Sequence, residues 1–150
     1  MTNTIRFTKM HGAGNDYIYL DGITNRLPNN LADFVRTYCD RHKGIGADGV
    51  VLILPSDVAH CRMRMFNADG SEGQMCGNAI RCVAKYTYEH ILIHRTEMLL
   101  IETESGIKVL NLKVRDGKVL TVTAEMGTAA FNPQKLPMEV KPAEFIEQPL

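Results

Sequence analysis

A strand that runs through a turn into the mouth of a helix constrains this chain more than any other stretch. From Cys61 to Phe66 the residues alternate, with Cys61, Met63 and Met65 on one side and Arg62, Arg64 and Phe66 on the other. The chain turns at Asp69-Gly70, passes through small and polar residues, and sets Cys76 at the start of a helix predicted over 77–90. There Ile80, Val83, Ala84, Thr87 and Tyr88 recur at helical spacing, and Lys85 and Glu89, four apart, form an expected exposed pair. The first amides of a helix lack intrahelical acceptors, and the helix dipole adds about half a positive charge at that end. A thiolate or a carboxylate is therefore favoured there. Cysteines at helix N-termini are acidified from about 8.5 into a range of about 3.5 to 7.5. The plainer alternative is that Cys76 packs as a small hydrophobe, as most free cysteines do. Gly73, Gly77 and Ala79 around it favour the reactive reading, because they leave room for a ligand to approach the backbone.

On either side of this stretch the sequence alternates between short strands and two helices. Residues 4–10 read as a strand and Asp16 to Leu20 as its hairpin partner, joined by His11 to Asp16 with Asn15 in the connector. Asn29-Asn30 cap a predicted helix over 31–42, with Leu31, Phe34, Val35, Tyr38 and Cys39 on one face and a basic, then glycine, terminus. Gly44 to Gly49 formally fits G-x-G-x-x-G. A helix precedes it and the strand Val50 to Leu54 follows, the reverse of a dinucleotide-binding loop, so it either wraps under that strand or lines a pocket. Met98 to Glu104, Ile107 to Val114 and Val119 to Met126 complete about seven strands, the last two joined at Asp116-Gly117.

Composition closes off several classes of function. Seventeen basic residues balance seventeen acidic ones without a like-charged block, which argues against nucleic acid or an anionic membrane as partner. Cys39, Cys61, Cys76 and Cys82 form no C-x-x-C pair, and no apolar leader precedes them, so they read as reduced thiols of a cytoplasmic protein. His90 and His94 are four apart but lack the acidic neighbour and third ligand of a zinc site, and no metal is expected. Four of the six prolines fall in 131–150, so the expected division is a domain over 1–130 and a linker over 131–150.

Three blocks together carry a resemblance. Lys9 to Tyr17 (KMHGAGNDY), His42 to Gly49 (HKGIGADG) and Phe66 to Cys82 (FNADGSEGQMCGNAIRC) resemble diaminopimelate epimerase, in order and spacing, over residues 5 to about 137. The resemblance implies an α+β fold in which a mixed, largely antiparallel sheet curls around a central helix. It implies a cofactor-independent inversion at the α-carbon of LL-2,6-diaminopimelate to the meso form, in lysine and peptidoglycan precursor synthesis. Two cysteines would act as base and acid, one from each of two similar halves. Cys76 matches the cysteine of the first half; Gly77 and Asn78 match backbone amides that hold the substrate carboxylate; Asn15 and Asn67 match side chains that grip the substrate. Gly49 stands where some relatives carry glutamine, and Ala79 where glycine is common.

No second motif of this kind follows, so the chain is expected to be an N-terminal half that needs a C-terminal half of the same protein and does not epimerise alone. Homodimers are common in enzymes of this type, and a homodimer is one arrangement open to it. Two other readings stand beside this one: a racemase or epimerase of another amino acid, of histidine or proline type, and a non-catalytic thiol-bearing binding domain.

Overall fold

A computed structural model describes residues 4–129 of the chain. The linker expected over 131–150 lies outside the described residues. Strand β1 (Thr8–Gly12) pairs antiparallel with β2 (Asn15–Asp21), helix α1 (Leu31–Tyr38) crosses over, and β3 (Gly49–Leu54) returns parallel to β2. Next, β4 (Cys61–Asn67) runs antiparallel to β3, and the two-residue β5 (Glu72–Gly73) pairs with its end. Helix α2 (Gly77–Tyr86) and a π-helical turn (Thr87–Ile91) lead to β6 (Met98–Thr103), parallel to β4. The antiparallel strands β7 (Gly106–Arg115) and β8 (Lys118–Ala124) complete a sheet of order β1-β2-β3-β4-β6-β7-β8, with β5 beside β4. Two of the seven strand pairings are parallel, as a mixed, largely antiparallel sheet requires.

Helix α2 touches β1 and β2 at one end of that order and β6, β7 and β8 at the other. A flat sheet could not offer both ends to one helix, so the sheet curls around it. Its buried face, Ala79, Ile80, Cys82, Val83 and Ala84, meets Tyr19, Val51, Met63, Leu99, Ile101 and Leu110 from the concave side. The other face carries α1 through Phe34 and Val35 against Ile18, Leu20, Val50, Leu52 and Phe66. Strand β3 lies between the two layers, which explains its unbroken apolar run: Val51 and Ile53 serve one core, Val50 and Leu52 the other.

Several local expectations shift. The first strand begins at Thr8 rather than residue 4, and the connector shrinks to Ala13-Gly14, both with positive φ, a two-residue hairpin turn. Helix α1 is capped by Asn30, which accepts from the Asp33 amide, but it stops at Tyr38 rather than 42. Asp40 stops it there by accepting from the amides of His42 and Lys43, while the Ile45 and Gly46 amides both close on the Tyr38 carbonyl. The α-helical part of α2 ends at Tyr86, and β5 was too short to carry a periodic signal. The Lys85–Glu89 pair forms at 2.7 Å, but the Glu89 side chain is only 8% exposed, because it also accepts from the Val119 amide of β8 at 2.9 Å.

Candidate functional site at the mouth of the central helix

Cys76 is the N-cap residue of α2, in extended conformation, and no side chain caps the helix. Among the described residues, the first α2 amide that bonds within the chain is that of Ile80, to the Cys76 carbonyl at 2.9 Å. The amides of Gly77 and Asn78 therefore keep the open valences of a helix N-terminus. Of the four free cysteines, Cys39, Cys61 and Cys82 are buried and Cys76 alone is half-exposed. Burial pushes the Cys39 and Cys61 thiols up to about 11.

The hairpin β1–β2 delivers the second component. Asn15 opens β2, and its Oδ1 accepts from the Cys76 thiol at 3.3 Å across 61 residues of sequence. The approach needs Gly12, where a Cβ would stand 2.9 Å from the Asn78 carbonyl oxygen. Asn15, Tyr17 and Tyr19 are alternate residues of β2 and share the face turned to α2. Tyr17 is 5% exposed, and burial, then the neighbouring Cys76, raises its phenol to about 12. It stays neutral and can serve as a donor beside the sulfur. Sequence reasoning assigned Tyr17 no role, although period-two spacing from Asn15 marks it.

Gly77 and Asn78 occupy the first turn as expected. The Asn78 side chain is bound by Arg81, whose guanidinium donates to Asn78 Oδ1 at 2.6 Å and to the Gly77 carbonyl at 3.2 Å. Arg81 thus ties the first turn together and occupies the accepting end of the Asn78 side chain. Met126 lies over the mouth, its Cε 3.3 Å from where a Gly77 Cβ would be.

Among the described residues, Asn67 makes no hydrogen bond to those of the helix mouth. It ends β4, and its Nδ2 donates to Ser71 Oγ at 3.0 Å, while its backbone closes a turn on Ser71 and Gly70. Its link to Asn15 runs through Asp48: the Ala68 amide donates to the Asp48 carbonyl, and the Asp48 carboxylate accepts from Asn15 Nδ2 at 2.6 Å. Of the five predicted residues, four meet at the helix mouth, and Asn67 is tied to Asn15 only through Asp48.

The glycine-rich loop wraps under β3, the plainer of its two readings. A Cβ on Gly49 would sit 2.1 Å from the Phe66 carbonyl oxygen, and one on Gly44 2.6 Å from that of Thr37. A hollow of about 680 Å³, lined in part by Arg6, Asp21, Tyr86 and His90, does not include Cys76. Asp21 within it already accepts from the Ile23 and Thr24 amides and the Thr24 hydroxyl, so its polar capacity is used internally. Among the described residues no group of three or more His, Cys, Asp or Glu converges as a metal site would require, and no helix is long and apolar enough to cross a membrane.

The curled half-sheet around one helix is a fold that this chain shares with solved structures. The chain superposes on a methylitaconate-delta-isomerase with a TM-score of 0.63 at 21% identity, covering 77% of this chain and 36% of that one. It superposes on a hydroxyproline epimerase from Agrobacterium vitis with a TM-score of 0.61 at 20% identity, covering 80% and 40%. At such identities the likeness establishes the fold. Sequence goes further: the family described as diaminopimelate epimerase matches residues 7–132, and the chain belongs to that family. Over 136 residues it is 52% identical to a diaminopimelate epimerase of Methanococcus maripaludis, covering 89% of this chain and 48% of the relative. It is 49% identical to that of Bacillus subtilis over 137 residues, covering 91% and 48%. The chain spans about half the length of the curated relatives it matches.

Proposed function

We propose that this chain supplies one half-site of a cofactor-independent epimerase that interconverts LL- and meso-2,6-diaminopimelate, with Cys76 as one of two proton-transferring cysteines. The observation that carries the reading is the pairing of one half-exposed thiol with open amides at the same helix mouth. A substrate α-carboxylate held on the Gly77 and Asn78 amides would lie beside the sulfur. Those fixed dipoles would also stabilise the charge that the carboxylate gains when the α-proton leaves. A positioned thiol or thiolate then gives or takes that proton. Asn15 and Asn67 would hold the remainder of the substrate from the hairpin and from the end of β4.

One cysteine can serve only one face of the α-carbon, so inversion requires a second group opposite. We assign it to a C-terminal half of the same protein, reached through a linker over 131–150 beyond a domain of 1–130. Four free cysteines fit a cytoplasmic setting. A homodimer would use an unpaired edge of the sheet, β1 or β8.

Two measurements test the reading. In the full-length protein, Cys76→Ala should abolish exchange of the α-proton of LL-diaminopimelate for deuterium in D2O, a loss of about 10²-fold or more. On this chain, diaminopimelate should slow alkylation of Cys76. Protection by proline or histidine instead would move the substrate to another amino acid, and protection by none would leave a thiol-bearing domain without this chemistry.

A further inference from the structure

Behind Asn15 lies a set of charges that the half-site as described does not use. Asp48 Oδ2 accepts from Asn15 Nδ2 at 2.6 Å and from the Asp16 amide at 3.1 Å. Arg41 donates to Asp48 Oδ1 at 2.8 Å and to Asp16 Oδ1 at 2.6 Å, and Lys9 stands 3.1 Å from Asp16. Two carboxylates and two cations thus close on one another at the back of the hairpin.

An asparagine amide has a donating and an accepting end, and an ionised carboxylate can only accept. The end of Asn15 that faces Asp48 must therefore be NH2, which turns Oδ1 toward Cys76. We infer that Asp48, held by Arg41, is a positioning residue that fixes the amide of Asn15 with its oxygen on the sulfur of Cys76. In that orientation Asn15 accepts from the thiol and offers no donor to a thiolate. Released from Asp48, the amide could turn and present NH2 to the sulfur, favouring the charged form. The inference rests on the proposed function for its consequence, control of the proton on Cys76, but not for its geometry.

The test is the rate at which iodoacetamide alkylates Cys76 at one fixed pH in the intact chain, assigned by peptide mass. Asp48→Ala and Asp48→Asn remove the same charge, but only Asp48→Asn keeps an acceptor within reach of Asn15 Nδ2. Asp48→Ser, polar but too short to reach, is a second variant without that acceptor. Alanine and serine should raise the rate about fivefold over asparagine, the size of one net hydrogen bond. In an Asn15→Ala background the difference should vanish. Equal rates for Asp48→Asn, Asp48→Ser and Asp48→Ala, or a difference that survives without Asn15, would overturn the assignment. The buried Cys39 and Cys61 report folding in the same experiment, because they stay unmodified only while the core is closed; if Asp48→Ala exposes them, the comparison is carried by Asp48→Ser. No substrate enters this assay, so its outcome is independent of the protection by diaminopimelate that tests the function.

Discussion

The two ends of α2 are built on opposite rules. At the C-terminal end polar groups are paired inside the chain. The π-helical turn closes with the Leu92 amide on the Thr87 carbonyl, the Thr87 hydroxyl meets the Cys61 sulfur at 3.4 Å, and Glu89 takes both Lys85 and the Val119 amide. At the N-terminal end no side chain caps the helix, the amides of Gly77, Asn78 and Ala79 stay open, and a thiol takes the cap position. Closing a buried polar group stabilises a fold, whereas a ligand can be held only by groups the fold has left open. The same helix thus fastens the sheet at one end and leaves a binding position at the other.

Thiol chemistry should show the widest contrast. Iodoacetamide at neutral pH should modify Cys76 well before Cys39 or Cys61, since a thiol near 11 has about one part in 10⁴ as thiolate at pH 7 and these two are also buried. Early labelling of Cys61 would mean that the fastened end opens readily, and the comparison would fail.

Stability should separate the two ends next. Glu89→Ala strands the Val119 amide and removes one of the two partners of Lys85, which should cost about 2 kcal/mol in urea unfolding. Gly12→Ala tests the open end where it is crowded. Its new Cβ would press on the Asn78 carbonyl oxygen, and a loss of about 1–3 kcal/mol is expected, together with slower protection of Cys76 by ligand. If Gly12→Ala folds normally and leaves Cys76 unaffected, the hairpin is not what shapes the mouth.

Smaller effects follow from charge. Arg41 beside Asp16, with help from Lys9, holds the Asp16 carboxyl down at about 2. A carboxylate lowered in the folded state adds stability above its unfolded value near 3.9, and that contribution fades as pH falls toward 2. Asp16→Asn should therefore flatten the loss of stability between about pH 4 and pH 2, by less than about 1 kcal/mol because solvent screens the cluster. Glu89 titrates in the same sense. Burial alone would raise it, yet the Lys85 bond and the Val119 amide outweigh burial and lower it, so its contribution is also lost in acid. Smallest of all, Cys76→Ala should change unfolding free energy by no more than about 0.5 kcal/mol, since the thiol makes one long hydrogen bond and caps nothing.

Much of this was legible in the residues themselves. Alternation marked β4, an unbroken apolar run marked β3, Asn30 marked the start of α1, and the small residues around Cys76 marked an open helix mouth. These are local signals, because the period of a strand or helix and the chemistry of a cap are set by neighbours within a turn or two. Other features had no local signal. The parallel pairings of β2 with β3 and β4 with β6, the bond from the Val119 amide of β8 to Glu89 and the meeting of Asn15 with Cys76 all join residues far apart in sequence. Asp48 reads as one more polar residue in a glycine-rich loop until the fold brings Asn15 within 2.6 Å of it. Sequence by itself determined where the longer strands and both helices lie, though not all their ends, and which thiol stands at a helix mouth. Only the curling of the sheet around α2 decided which side chains face that thiol, because a long-range contact depends on how every intervening element packs.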